Sequence, residues 1–182
     1  VEGFQGVGDG GLANGIAATM KHFPGAGANE DGMDSHSRPG KFNVYPGGAF
    51  EYHQIPFQAA VDVGVAAVMP CYSVFKGQTD YDPEQVGAAF SRGLVNDYLK
   101  NIVGFTGMVT SDWGTMSGTA WGVEALTQPE RAAKFVKAGS HQLGNDSHTI
   151  VQNAYNQALL TDDEIDEAAA KILEMSLKLG IF

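Results

Sequence analysis

The chain has 182 residues, 43% of them hydrophobic and 18% charged, which allows one buried core and is too small for two generous domains. Its 21 acidic and 11 basic residues give a formal net charge of −10 with no basic cluster, so neither nucleic acid nor an anionic membrane is expected as a partner. Cys71 is the single cysteine, which excludes an intrachain disulfide, and no apolar run approaches membrane-spanning length, so a soluble chain of undetermined compartment is expected.

The chain opens on Val1, not Met, and without a signal peptide, which reads as a removed leader or a piece of a longer chain. Gly6-Val7-Gly8-Asp9-Gly10-Gly11 has the glycine content of a phosphate loop but no strong strand ahead of it, so that reading is set aside. Ile16-Ala17-Ala18-Thr19-Met20 is the first strand and runs straight into Lys21-His22-Phe23-Pro24-Gly25. A polar loop follows over residues 26–48, carrying Glu30, Asp31, Asp34, His36 and Arg38, and its length marks it as a binding or covering segment. Residues 50–63 read as helical in their second half, with Pro56 in the first turn and Phe57, Ala60 and Val61 on one face.

Val65-Ala66-Ala67-Val68-Met69-Pro70 is the second strand, ending at Cys71-Tyr72, with Cys71 expected as a small buried apolar residue. Asp82-Pro83-Glu84-Gln85 predicts a helix start, with Asp82 as cap and Val86, Phe90, Leu94 and Tyr98 recurring every fourth residue. Met108-Val109-Thr110 is a short β-branched run bounded by glycine, the third strand, and it stops at Asp112-Trp113-Gly114. Thr127-Gln128-Pro129-Glu130 is a capping box for a helix with Ala132, Phe135 and Val136 inward. Residues 138–144 form a weaker fourth strand containing His141. Two helices close the chain. The first covers 147–160 with Ile150, Val151, Ala154, Tyr155 and Ala158 buried. The second opens on the box Thr161-Asp162-Asp163-Glu164, buries Ile165, Ala169, Ile172, Leu173 and Ser176, and ends at Gly180.

Strand and helix thus alternate through four units, which predicts an α/β fold with parallel strands joined by crossover helices. Four units make either an open doubly wound sheet or a partial (β/α)8 TIM-like barrel, in one domain over residues 1–182. In either fold the strand ends share a rim, which collects Lys21, His22, Tyr72, Asp112 and His141. From spacing alone Asp112 is equally a rim carboxylate and a cap on its own turn. His141 and His148 with Asp146 between them lack regular spacing and a third ligand, so neither metal nor other cofactor is expected. Glu124, on the loop after the third strand, carries no assigned chemistry.

Taken together, Lys21-His22-Phe23-Pro24-Gly25, Tyr45-Pro46-Gly47-Gly48 through Tyr52-His53, Ile55-Pro56-Phe57, Val68-Met69-Pro70-Cys71-Tyr72, Thr110-Ser111-Asp112-Trp113-Gly114, Gly122-Val123-Glu124-Ala125-Leu126 and Leu177-Lys178-Leu179-Gly180-Ile181-Phe182 resemble glycoside hydrolase family 3, and its β-glucosidase-like members in particular. The resemblance implies the second half of a (β/α)8-like barrel, with Asp112 as the nucleophile of a retaining β-glycosidase. Lys21 and His22 match a pair that holds sugar hydroxyls, and Trp113 and Tyr72 match positions lining the same subsite. A retaining enzyme needs one carboxylate to attack the anomeric carbon and one protonated group to release the aglycone.

In the glucosidase-like branch, the resemblance implies, that second group is a glutamate from a domain after the barrel, which this chain does not include. Another branch uses an Asp-His dyad on the loop after the Lys-His strand, for which Asp34 and His36 are the candidates here. The expected ligand is a β-glucoside or a xyloside, and activity of the chain alone is doubtful. The chain is expected to need the missing barrel half or to self-associate. The alternative reading is a non-catalytic carbohydrate-binding or structural remnant of the same fold.

Overall fold

The computed structural model describes residues 1–6 and 11–182, so the glycine-rich run Gly6–Gly11 falls largely outside the described residues. Three short parallel strands form the central sheet in the order β1 (Thr19–Phe23), β3 (Ala67–Pro70), β5 (Met108–Val109). Register pairs Thr19 with Ala67 and Ala67 with Met108. The weak fourth strand is reduced to one parallel bridge, Thr110 to Gln142. Each connection runs through a helical segment: α2 (Phe50–Asp62), a π-helix (Gly93–Ile102) and α3 (Gln128–Lys137). A four-residue helix α1 (Glu2–Gln5) precedes β1, and α4 (His148–Asn156) and α5 (Asp162–Lys178) follow the bridge.

The strands are apolar runs because their helix-facing side chains fill the core. Phe23, Val68 and Val109, each 0% exposed, pack against Phe57 from α2 and Val95 and Leu99 from the π-helix. A second cluster under α3 gathers Phe90, Met116, Ala132, Phe135 and Ile150. A Leu-sized side chain fully buried in this way stabilises the fold by roughly 1.5–3 kcal/mol. Both capping boxes form, Thr127 with Glu130 and Thr161 with Glu164, and Gly180 follows α5 at φ 69 in the left-handed region.

Several sequence expectations are corrected. The long loop after β1, read as a binding or covering segment, has local structure of its own that the sequence reading did not assign. It contains 3-10 turns at Glu30–Gly32 and Arg38–Gly40 and the strand β2 (Phe42–Asn43), which pairs in parallel with β4 (Val74–Phe75) from the loop after β3. Pro56 lies inside α2, not in its first turn. The carbonyl that proline leaves without its helical partner belongs to Tyr52, and Tyr52, Ile55 and Pro56 all lie on the exposed face of the helix.

Asp82 caps no helix. Its carboxylate is buried and accepts from the Ser91 hydroxyl at 2.7 Å, and it is Ser91 that accepts from the Leu94 amide at 3.2 Å. The spacing-four run is therefore split between a 3-10 turn at Ala88–Phe90 and the π-helix. Tyr155, Ala158 and Leu173 are exposed, while Ala168 takes the buried position on α5.

Candidate active site

Asp112 stands where β5 ends, and its surroundings explain how it is held. The Thr110 amide donates to the Val68 carbonyl and the Ser111 amide to the Gln142 carbonyl, so the chain is fixed on both sides up to the residue before it. The turn beyond is folded by hydroxyls and by a second carboxylate. Ser111 and Thr115 both donate to the Asp112 carbonyl at 2.8 Å. Asp146 accepts from the Met116 amide at 2.9 Å, the Ser117 amide at 3.1 Å and the Ser117 hydroxyl at 2.6 Å. Asp112 is 6% exposed.

The two carboxylate oxygens of Asp112 are used differently. Oδ1 accepts from the Trp113 amide at 2.7 Å, as a turn cap does, while Oδ2 lies 3.2 Å from Nε2 of His22. Burial, the largest influence, holds the His22 pKa below its ordinary value, with the Lys21 and His36 charges acting the same way and Asp112 against them. Near neutral pH the imidazole is therefore uncharged and donates to the carboxylate through Nε2–H. Lys21 is exposed, so of the adjacent pair it is His22 that touches Asp112.

Tyr72, from the end of β3, is 4% exposed and its hydroxyl donates to the Trp113 carbonyl. Burial and then the Asp112 charge raise its phenol pKa, which keeps it a neutral donor. The Trp113 side chain is 55% exposed and offers an open aromatic face beside the carboxylate.

The loop after β1 reaches the same place. Nδ1 of His36 lies 2.6 Å from Oδ1 of Asp34, and the His36 amide donates to the same oxygen at 2.7 Å. These bonds, the backbone one foremost, lower the Asp34 pKa. The His36 ring sits 4.7 Å from the ring of Tyr72, centroid to centroid. Asp112, His22, Tyr72, Trp113, Asp34 and His36 thus form one cluster from three strand ends, with Lys21 at its margin.

His141 does not join it. Its Nδ1 accepts from the Val109 amide at 2.9 Å and its Nε2 faces Lys100 Nζ at 3.2 Å, which turns the ring toward the helices. Asp146 is committed to the turn after Asp112, and His148 is exposed at the start of α4, so these three groups do not converge. Glu124, unassigned from sequence, pairs with Lys41 at 2.7 Å. Against the cost of burial, that ammonium and backbone amides hold its carboxyl below the usual range.

Sequence reasoning missed Trp121, whose indole N–H donates to the Ser35 carbonyl at 2.7 Å. It also missed Gly144, where an added Cβ would lie 2.6 Å from the Ser111 carbonyl oxygen. The family-like run beginning at Gly122 was the one signal pointing near Trp121.

Comparison with known proteins places these features in context. Residues 1–175 match the family model described as "Glycosyl hydrolase family 3 N terminal domain". Beta-glucosidase C of Emericella nidulans is 37% identical over an alignment covering 100% of this chain and 31% of that protein. The periplasmic beta-glucosidase/beta-xylosidase of Dickeya chrysanthemi is 34% identical over 100% of this chain and 31% of its own length. Among solved structures, the beta-glucoside phosphorylase BglX bound to 2FGlc aligns with a TM-score of 0.75 at 22% identity, over 90% of this chain and 30% of that one. The exo-1,3/1,4-beta-glucanase ExoP from a Pseudoalteromonas species aligns with a TM-score of 0.74 at 25% identity, over 100% of this chain and 28% of that one. The arc of parallel strands is accordingly part of a TIM-like barrel, and the chain spans under a third of the length of these relatives.

Proposed function

The chain belongs to glycoside hydrolase family 3, and from that premise we propose that it carries the nucleophile side of a retaining β-glycosidase acting on β-linked glucosides, with xylosides second. Asp112 attacks the anomeric carbon through Oδ2. His22 and Lys21 hold sugar hydroxyls, Tyr72 steadies the backbone beside the nucleophile, and Trp113 offers its face to the sugar ring. The observation that carries this reading is a strand-end carboxylate, 6% exposed, with one oxygen tied to its own turn and the other left to His22. The names of the relatives, beta-glucosidase and beta-glucosidase/beta-xylosidase, support the substrate class.

A second assignment concerns the proton. The Asp34–His36 contact at 2.6 Å and the packing of His36 on Tyr72 favour His36 as the acid that protonates the departing oxygen, with Asp34 orienting the ring. Acid assistance of this kind is worth roughly 10²–10⁴-fold in rate.

A dinitrophenyl 2-deoxy-2-fluoro-β-glucoside tests the nucleophile directly, because its leaving group departs without a proton. The expected result is a covalent glycosyl adduct on the peptide containing Asp112, absent in Asp112→Asn. Binding of the sugar without an adduct would instead establish a non-catalytic carbohydrate-binding chain.

A further inference from the structure

We propose that Trp121 is a positioning residue that sets the Asp34–His36 pair against Tyr72 and Asp112, an inference that rests on His36 serving as the proton donor. The pair needs such a device. The Asp34 and His36 side chains are 72% and 64% exposed, on a segment built only from turns, so little packing holds them in place. Ser35 lies between them, and its carbonyl takes the Trp121 indole N–H at 2.7 Å, across 86 positions of sequence.

The backbone that carries the indole is itself held by main-chain bonds. The Gly87 amide donates to the Trp121 carbonyl at 2.9 Å, Gly87 bridges Val74, and the Val74 amide donates to the Lys41 carbonyl at 2.9 Å. Lys41 closes the circuit from the side-chain end. Its Nζ pairs with Glu124 at 2.7 Å and lies 5.6 Å from the centre of the Trp121 ring. The loop that carries the pair is therefore tied, through backbone, to the residue that grips its middle.

Gly87 links this circuit to the site itself. An added Cβ there would stand 2.6 Å from the Tyr72 carbonyl oxygen and 3.3 Å from that of Trp121, so one close approach locates both the tyrosine under His36 and the indole over Ser35. Gly40 does the same for the loop, since a Cβ at that position would meet the Asp34 carbonyl oxygen at 2.1 Å.

Trp121→Phe keeps the aromatic surface and removes only the N–H. Amide hydrogen exchange of residues 34–38 in the intact chain is the first readout, and about a 5–30-fold acceleration is expected from losing one such bond. The second compares turnover of aryl β-glucosides having a good and a poor leaving group. Trp121→Phe should raise the good-to-poor ratio about 10-fold through kcat, not KM. His36→Ala is the reference. If it raises the ratio and Trp121→Phe does not, the positioning role is overturned while the proton-donor assignment stands. If His36→Ala leaves the ratio unchanged, that assignment falls and takes the catalytic role of Trp121 with it. Exchange over 34–38 that is unaltered in Trp121→Phe overturns the inference by itself, whatever the turnover.

Discussion

His22 and Asp112 meet edge to edge, Nε2 to Oδ2 at 3.2 Å, while the other carboxylate oxygen accepts the Trp113 amide at 2.7 Å. A neutral imidazole in that position orients Oδ2, the oxygen proposed to attack, without neutralising it. As the pH falls through the lowered His22 pKa, the ring gains a proton and the contact becomes a true ion pair, which draws charge from the Asp112 carboxylate. Labelling of Asp112 by the fluoro-glucoside is therefore expected to decline on the acid side. In His22→Ala labelling should fall by about 10²-fold for want of a donor at the sugar and carboxylate. A His22→Ala rate within a factor of two of the parent would remove His22 from the site.

The strand-borne part of this site is legible in the chain because His22, Tyr72 and Asp112 each follow closely on a short apolar run, whereas Asp34 and His36 come from the loop after β1. Met108-Val109-Thr110 has to be a strand, and Asp112 has to follow it. The Lys21-His22 step after Ile16–Met20 reads the same way, although the strand itself begins later, at Thr19. What stays hidden is every relationship made across distance. The bond from Trp121 to Ser35 leaves no periodic trace, and nothing in the spacing of His141 says that its ring turns away from the rim to accept the Val109 amide. Asp82-Pro83 misleads for a related reason. A capping signature reports only a carboxylate near a helix start, and here a buried hydroxyl, Ser91, claims that carboxylate first.

Two buried groups on the helix side set opposing pH dependences. Burial, then the Lys100 and Lys171 charges, press the His141 pKa from 6.5 down to about 3. The folded chain thus binds fewer protons there than the unfolded one, and stability present above 6.5 is lost as the pH falls through that interval. Burial, the dominant influence, raises Asp82 from 3.8 to about 6. Its contribution is fully present below 3.8 and is lost as the pH rises through about 6. Between about pH 4 and 6 the two slopes, each about 1.4 kcal/mol per pH unit at most, oppose each other. Urea midpoints followed across this range should change little in the parent. They should rise on acidification in His141→Asn and fall in Asp82→Asn. Equal slopes in all three proteins would show that neither group is perturbed by its burial.

Gly144 tests how tightly the Asp112 backbone is held. Its amide donates to the Ser111 hydroxyl at 2.8 Å, and a Cβ would lie 2.6 Å from the Ser111 carbonyl oxygen and 3.0 Å from that of Asp112. Backbone atoms cannot rotate aside as a side chain would, so Gly144→Ala must displace the turn. A loss of about 1–3 kcal/mol in stability is expected, with a larger relative loss in Asp112 labelling than Gly139→Ala produces. At Gly139, φ is 98 and the close neighbour is the flexible end of Lys100 at 3.1 Å, remote from the carboxylate. Comparable labelling in the two variants would mean that the turn can shift without moving the Asp112 carboxylate.

The sheet itself predicts how the chain behaves in solution. Among the described strands β1 pairs on one side only, with β3, so the main-chain groups along the outer edge of Thr19–Phe23 face no partner strand. Large apolar side chains are also left in water at the same time: Phe4 at 71%, Ile16 at 68%, Leu177 at 63%, Ile181 at 65% and Phe182 at 79% exposure. An open edge beside apolar surface is a template for pairing with a second chain. Small-angle scattering on the purified chain should therefore give a mass above the 19.2 kDa of one copy, rising with concentration. The double substitution Ile16→Lys and Leu177→Glu should lower that mass toward one copy by placing charge on the exposed apolar positions, without touching the Asp112 cluster. A parent chain that scatters as one copy at every concentration and melts in a single cooperative transition would show that the edge is protected in a way its strand pairing does not reveal.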